Sequence, residues 1–282
     1  MAIIDETLFA NLSAREALRP PSVGGVPNRA TISWCVATKI VYRSTHAHNQ
    51  LGVAREKRAK VLEWVAKVHG RMEQHSETLW LAADLFHRFI SHGVGPTTSA
   101  YHTGLTCLWL AAKIEGQRQF RYRLRHFARY IDDRELTRRR LVEEEAQILA
   151  VLEFRVSGYV PPTFWVGRIA AARGYDPFTL RIALILVDTT VAEPCFSAWY
   201  AKELASVAVL VACKIWKREW SAAHVFVSGF QPCSLLAGAN LLLEYLRSDN
   251  YKQSWMYRKY SVEEHHNLGA YVREWAFDNV EI

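Results

Sequence analysis

Leu105-Thr106-Cys107-Leu108-Trp109-Leu110-Ala111-Ala112-Lys113-Ile114 is the stretch whose reading decides the fold. Apart from Thr106 and Lys113 it is apolar on every side, too long for an ordinary strand and free of Gly and Pro, so it reads as part of a buried helix. Thr97, Thr98 or Ser99 can cap its start after Gly95-Pro96, and Gly116 can close its end. A helix that is apolar all round needs neighbours on every side, which implies a bundle. Lys113 is the odd residue in it, because a lysine is rarely buried without a partner.

Outward from this helix the same pattern recurs. From Arg55 the periodicity gives five helices at about 55–73, 76–92, 97–116, 121–131 and 137–154, with Ser76 ahead of Thr78-Leu79-Trp80 as a helix start. Val160-Pro161-Pro162-Thr163 interrupts the pattern, and beyond it the chain repeats with an offset of 101 residues. Trp64-Val65-Ala66-Lys67-Val68 overlays Trp165-Val166-Gly167-Arg168-Ile169, and Ala111-Ala112-Lys113-Ile114 overlays Ala212-Cys213-Lys214-Ile215. Leu81 to Ile90 overlays Ile182 to Val191 with its apolar positions largely kept. The expected fold is therefore all-α: two tandem five-helix domains with flanking N- and C-terminal helices. The expected boundaries are 1–54 for a leader with helices near 5–18 and 30–43, 55–155 and 161–247 for the two repeats, and 248–282 for a C-terminal segment with a helix at 261–277.

Composition agrees with this class. The 282 residues are 50% hydrophobic, enough for a large core, while 14 Gly and 9 Pro are few for a strand-and-turn architecture. A net charge of +7 favours acidic partners or nucleic acid, but with 28 acidic residues this is a bias and not a polybasic tail, and charge alone decides nothing. The five cysteines, Cys35, Cys107, Cys195, Cys213 and Cys233, form no Cys-x-x-Cys pair, and two lie in apolar helical runs, as reduced core thiols do. No apolar run reaches the ~18 residues of a membrane span. We expect no membrane partner, and a location in the nucleus, the cytoplasm or both.

No catalytic constellation is present: there is no Gly-rich phosphate loop, Gly-x-Ser-x-Gly, His-Glu-x-x-His or cysteine-based zinc spacing. His46/His48 and His265/His266 lack further ligands at a usual distance. We expect no enzyme, metal or cofactor. Glu145 is placed on one stripe with Leu141, Ile148, Leu149 and Leu152, a carboxylate in an apolar face that needs a partner. Lys113 poses the same problem, and an internal ion pair between them answers both. A basic run, Arg118, Arg121, Arg123, Arg125, Arg129, Arg134, Arg138, Arg139 and Arg140, suits phosphate, although such runs are mostly solvated faces.

The residues then resemble the cyclin family, whose members carry two five-helix cyclin boxes. Arg58-Ala59 with Glu63-Trp64, Ser76-Glu77-Thr78-Leu79-Trp80, His87-Arg88-Phe89-Ile90, Leu110 to Glu115 and Glu145 to Phe154 carry the resemblance in order and spacing. Tyr257-Arg258-Lys259-Tyr260-Ser261 is similar to the end of the second box in mitotic cyclins, whereas Phe86-His87-Arg88-Phe89 is closer to transcription-type members, so both subclasses stay open. The resemblance implies a regulatory subunit that binds and activates a cyclin-dependent protein kinase, with Lys113, Glu145 and Glu115 binding the kinase and with kinase substrates or inhibitors as further partners. It implies a structural role for Arg58, whose family partner, an Asp, is here His87. Arg58 is then expected to find Glu63 or Asp84. It also implies a substrate-docking face at Lys57, Lys60, Val61, Trp64 and Lys67. Three lysines replace two apolar residues and an acid of the family pattern there, so ordinary Arg-x-Leu peptides are not expected to dock. Arg15-Glu16-Ala17-Leu18 fits the short Arg-x-x-Leu of cyclin destruction signals. The competing readings are a DNA-binding transcription factor of the TFIIB kind, which also has two such repeats, and a cyclin-fold scaffold that activates no kinase.

Overall fold

The computed structural model describes residues 55–93, 99–115, 124–130, 134–156, 158–174, 176–197 and 199–282. The helices expected at 5–18 and 30–43, the caps at Thr97, Thr98 and Gly116, and Arg15, Leu18, Cys35, His46, His48, Arg118, Arg121 and Arg123 lie outside them. Among the described residues there are thirteen α-helices and no named strand. The first repeat is α1 (Arg55–Arg71), α2 (Ser76–Ser91), α3 (Ala100–Glu115), α4 (Leu124–Ala128) and α5 (Arg134–Val151). The second is α6 (Pro162–Ala170), α7 (Pro177–Thr189), α8 (Ala201–Ile215), α9 (Ala222–Ser228) and α10 (Pro232–Arg247).

The apolar run at 105–114 sits where its composition requires. Helix α3 packs against α1, α2, α4 and α5, and in the second repeat α8 packs in the same way against α6, α7, α9 and α10. Helices α2 and α7 begin 101 residues apart, as do α3 and α8, and Leu110 and Val211 are buried at matching positions. Cys107 and Cys213 are buried in these central helices. Close approach in the first repeat depends on Gly104: a Cβ there would lie 2.7 Å from Val61 Cγ1 and 2.9 Å from Val65 Cγ2. The absent side chain is what lets α1 lie down on α3.

The C-terminal part differs from expectation. Instead of one helix at 261–277 there are α11 (Asp249–Gln253), α12 (Trp255–Tyr260), a 3₁₀ turn at Glu263–His265 and α13 (Leu268–Asp278). His266 and Asn267 are both left-handed, with φ of 53°, and that conformation stops the helix from running through. Ser248 Oγ accepts from Tyr251 N–H at 3.2 Å and Ser254 Oγ from Tyr257 N–H at 3.0 Å, so each serine caps a helix too short for periodicity to reveal.

This segment packs on both repeats. Helix α12 touches α1 and α7, and the Glu63 carboxylate accepts the backbone N–H of Trp255 at the α12 start. At the centre is Asp188, only 1% exposed, near the end of α7. It accepts from Ser76 Oγ at 2.6 Å and Trp80 Nε1 at 3.1 Å, both on α2, and from Tyr260 OH at 2.6 Å on α12. Three donors satisfy a buried carboxylate that has no neighbouring cation among them, and they tie both repeats to the C-terminal segment. Ser76 does open α2 as expected, but its hydroxyl serves Asp188.

Candidate functional site

Two adjacent carboxylates on α5 occupy different environments, and this corrects the expected stripe. Among the described side chains of α5 and the residue after it, Leu141, Glu144, Ile148 and Leu152 are buried, so the carboxylate set in the apolar face is Glu144, 3% exposed, and not Glu145. Thr103 Oγ1 donates to it at 2.5 Å and Thr106 Oγ1 at 3.1 Å. Burial raises its pKa above the ordinary 4.5, against the opposing pull of the two hydroxyls. Thr103 and Thr106, three apart on α3, were the sequence signal for this pairing: two hydroxyls on one face of an otherwise apolar helix.

Glu145 is turned by about 100° from Glu144 and lies half-exposed at the α3–α5 edge. Lys113 Nζ donates to Glu145 Oε1, and Trp109 Nε1 donates to Oε2 at 2.8 Å. The ammonium also lies 5.1 Å from the Trp109 ring centroid, and that ring meets buried Phe127 of α4 edge-on at 5.2 Å. Lys113 and Glu145 therefore pair, as expected, but with side chains 37% and 18% exposed they pair at the surface and not inside. Burial of the pair is the part of the expectation that fails.

Two exposed apolar side chains, one next to Lys113 in sequence and one just past the end of α5, were passed over as sites by sequence reasoning. Ile114 is 39% exposed, and Phe154, just past α5 with φ of 56°, is 71% exposed. Ile114 gave a signal, because it ends the apolar run of α3 where Glu115-Gly116-Gln117 turns polar; Phe154, between Glu153 and Arg155, gave none. Glu115 is exposed too, but two residues beyond Lys113 it projects about 200° around α3 and does not join the ion pair.

The other expected groups are scattered in role. Lys57 and Lys60 are exposed and Lys67 half-buried, while Trp64 is half-buried and meets Tyr101 edge-on at 5.5 Å. Val61 is fully buried against α3, so it belongs to the core and not to a docking face. Its place opposite Gly104 is the reason. His87 is half-buried, and its pKa falls to about 4 through burial and the Arg58 charge, so the two are neighbours with the imidazole neutral. Of the anions expected for Arg58, Glu63 meets Trp255 N–H and Asp84 pairs with Arg88 at 3.2 Å. Burial and the neighbouring Arg55 lower the Arg58 pKa. Of the basic run, Arg139 pairs with Glu143 at 2.8 Å on an exposed face. Among the described residues no group of three or more His, Cys, Asp or Glu could hold a metal ion, and no single helix is long and apolar enough to cross a membrane.

Comparison with known proteins bears on the same residues. The description "Cyclin, N-terminal domain" matches residues 33–157 and "Cyclin, C-terminal domain" matches 160–273. G2/mitotic-specific cyclin-4 of Saccharomyces cerevisiae is 26% identical over 82% of this chain and 49% of its own length. The chain spans about half the length of the curated relatives it matches. Among solved structures, a viral cyclin from herpesvirus saimiri matches 84% of this chain and 97% of its own with a TM-score of 0.64 at 16% identity. The yeast RNA Pol II CTD kinase CTDK-1 complex contains a chain matching 78% of this one and 74% of its own, with a TM-score of 0.60 at 14% identity. The likenesses to solved structures bear on the fold, and the two family matches, which together cover most of the sequence, show that this chain belongs to the cyclin family.

Proposed function

We propose that this cyclin binds and activates a cyclin-dependent Ser/Thr protein kinase, in the nucleus or cytoplasm, in cell-cycle or transcription control. The observation that carries the reading is the Lys113–Glu145 pair, held at the surface by Trp109 and accompanied by exposed Ile114 and Phe154. A fixed cation and anion suit main-chain carbonyl and N–H groups of a partner, and exposed apolar side chains at the ends of the same two helices would give the contact a dry core. Mitotic relatives and a fold neighbour within a kinase complex support the same partner. Docking on this face would hold the regulatory helix of the kinase inward, so that its glutamate meets the catalytic-strand lysine and completes the ATP-phosphate site. Chemistry stays with the kinase, and the cyclin contributes free energy that favours the active conformer.

The test is reconstitution with purified cyclin-dependent kinases, scoring binding and phosphorylation of a Ser/Thr peptide. Stimulation that Lys113→Ala and Glu145→Ala each reduce by more than about tenfold supports the reading. Binding without stimulation would instead favour a cyclin-fold scaffold, and no binding to any such kinase would overturn the proposal.

A further inference from the structure

The second repeat carries an aromatic surface that the kinase reading does not use. Phe178 is 64% exposed and Trp216 42% exposed, with ring centroids 5.5 Å apart and planes at 53°. Rings of this size are ordinarily buried or in contact with a partner. Rigid elements hold both. Phe178 lies in the first turn of α7, where Asp176 caps the helix by accepting from Phe178 N–H at 3.2 Å and Thr179 Oγ1 at 2.6 Å. Trp216 directly follows α8, and its N–H donates to Ala212 O. Arg218 Nε donates to Asp176 Oδ2 at 2.8 Å and staples the two segments together. The surface is preformed, so little ordering is needed when something docks.

The rim is mostly positive. Arg173, Lys217 and Arg218 are exposed, against half-buried Asp176 and exposed Glu219. Arg173, Arg218 and Asp176 all act on the Cys213 thiol at the end of α8, which places them around one corner. The internal repeat gives the corner a meaning. The 101-residue offset sets Lys214 opposite Lys113 and Trp216 opposite Glu115. The position opposite Glu145 is Leu246, which is fully buried, so the carboxylate of the first repeat has no counterpart there. The same helix end that in the first repeat shows an ion pair shows in the second an aromatic pair with Arg173 and Arg218 at its corner.

The geometry points to a second docking surface, which takes an acidic linear segment of a partner protein: a large apolar side chain rests on Phe178 and Trp216, and its neighbouring carboxylates face Arg173 and Lys217. Charge complementarity selects this occupant. A nucleic-acid strand is the weaker fit, because Asp176 and Glu219 interrupt the basic track a phosphate backbone needs.

The probe is a fluorescein-labelled peptide, Glu-Asp-Glu-Phe-Glu-Leu-Asp-Glu, titrated into the full chain by anisotropy at low and moderate salt. Binding on the order of 10 μM is expected, weakened by salt. Phe178→Ala and Trp216→Ala should each weaken it about tenfold or more, as should Arg173→Glu combined with Lys217→Glu. These side chains are exposed, so melting temperature and kinase binding should stay unchanged, which separates failure here from failure of the kinase reading. The proposal is overturned if the peptide does not bind, or if the variants bind it as well as the parent chain does. It is overturned equally if a single-stranded oligonucleotide binds the same residues more tightly, or if sedimentation shows a dimer that Trp216→Ala dissociates.

Discussion

Glu144 and Glu145 are chemically identical neighbours, and the structure assigns them opposite consequences on truncation. Glu145→Ala removes an ion pair whose lysine is more than one-third exposed, worth about 0–1 kcal/mol, and one hydrogen bond from a half-buried indole that water can replace, worth about 1 kcal/mol. The loss should be about 1–2 kcal/mol, or roughly 2–6 °C in melting temperature for a domain pair of this size. Glu144→Ala opens a cavity between α3 and α5 and leaves the Thr103 and Thr106 hydroxyls only the Ser99 and His102 carbonyls, at 3.4 and 3.0 Å, so the loss should be about 2–4 kcal/mol and the expected drop roughly 5–12 °C. Kinase binding should order the two the other way. Glu145→Ala should lose about 2–5 kcal/mol of affinity, while folded Glu144→Ala retains most of it. Differential scanning fluorimetry and kinase titration on the same preparations give both numbers. Equal melting losses, or a binding defect confined to Glu144→Ala, would refute the assignment of the two carboxylates.

Three further outcomes are expected. Gly104→Ala should cost about 1–3 kcal/mol by forcing Val61 and Val65 aside, and chemical denaturation reads it directly. His69 is 1% exposed, its Nε2 hydrogen-bonded to His75 O at 2.8 Å, and burial lowers its pKa from 6.5 to about 4. In that window the unfolded chain takes up the proton first, so stability should fall as pH drops from about 6.5 to about 4, by about 2–4 kcal/mol for this group. Raised Glu63 and Glu144 act in the opposite sense, weakening the fold as pH climbs above 4.5, so the comparison to make is the parent chain against His69→Gln, whose melting curve should be flatter with pH. Arg-x-Leu peptides should bind the α1 face at least about tenfold more weakly than they bind a patch with an acid at position 67 and apolar residues at 57 and 60; isothermal titration showing low-micromolar binding would contradict this.

What the sequence disclosed and what it hid follow from the same physics. The buried helix at 105–114 and its counterpart 101 residues on were legible because a run that is apolar on all sides admits only a central position. The choice between Glu144 and Glu145 was not, since an apolar stripe spans about 100° and adjacent residues differ by that same angle; only the facing Thr103 and Thr106 decide it. Val61 was misplaced because its burial depends on what α3 lacks at Gly104, a property of the opposing helix. Asp188 lay hidden among the charged positions that differ between repeats: it stands opposite His87, and its three donors lie far away in the chain.

Those separations bear on how the protein is made. The carboxylate of Asp188 is 112 residues from Ser76 and 72 from Tyr260. A ribosome adding about 5–20 residues per second needs roughly 4–14 s to go from the aspartate to the tyrosine that completes its shell. During that interval α8 to α11 are being made, and the interior anion lacks one of its donors until α12 follows. The codons for residues 249–260 therefore set when the two repeats lock together, and a message truncated between Arg247 and Tyr260 yields a polypeptide with every box helix and an unfinished joint between them.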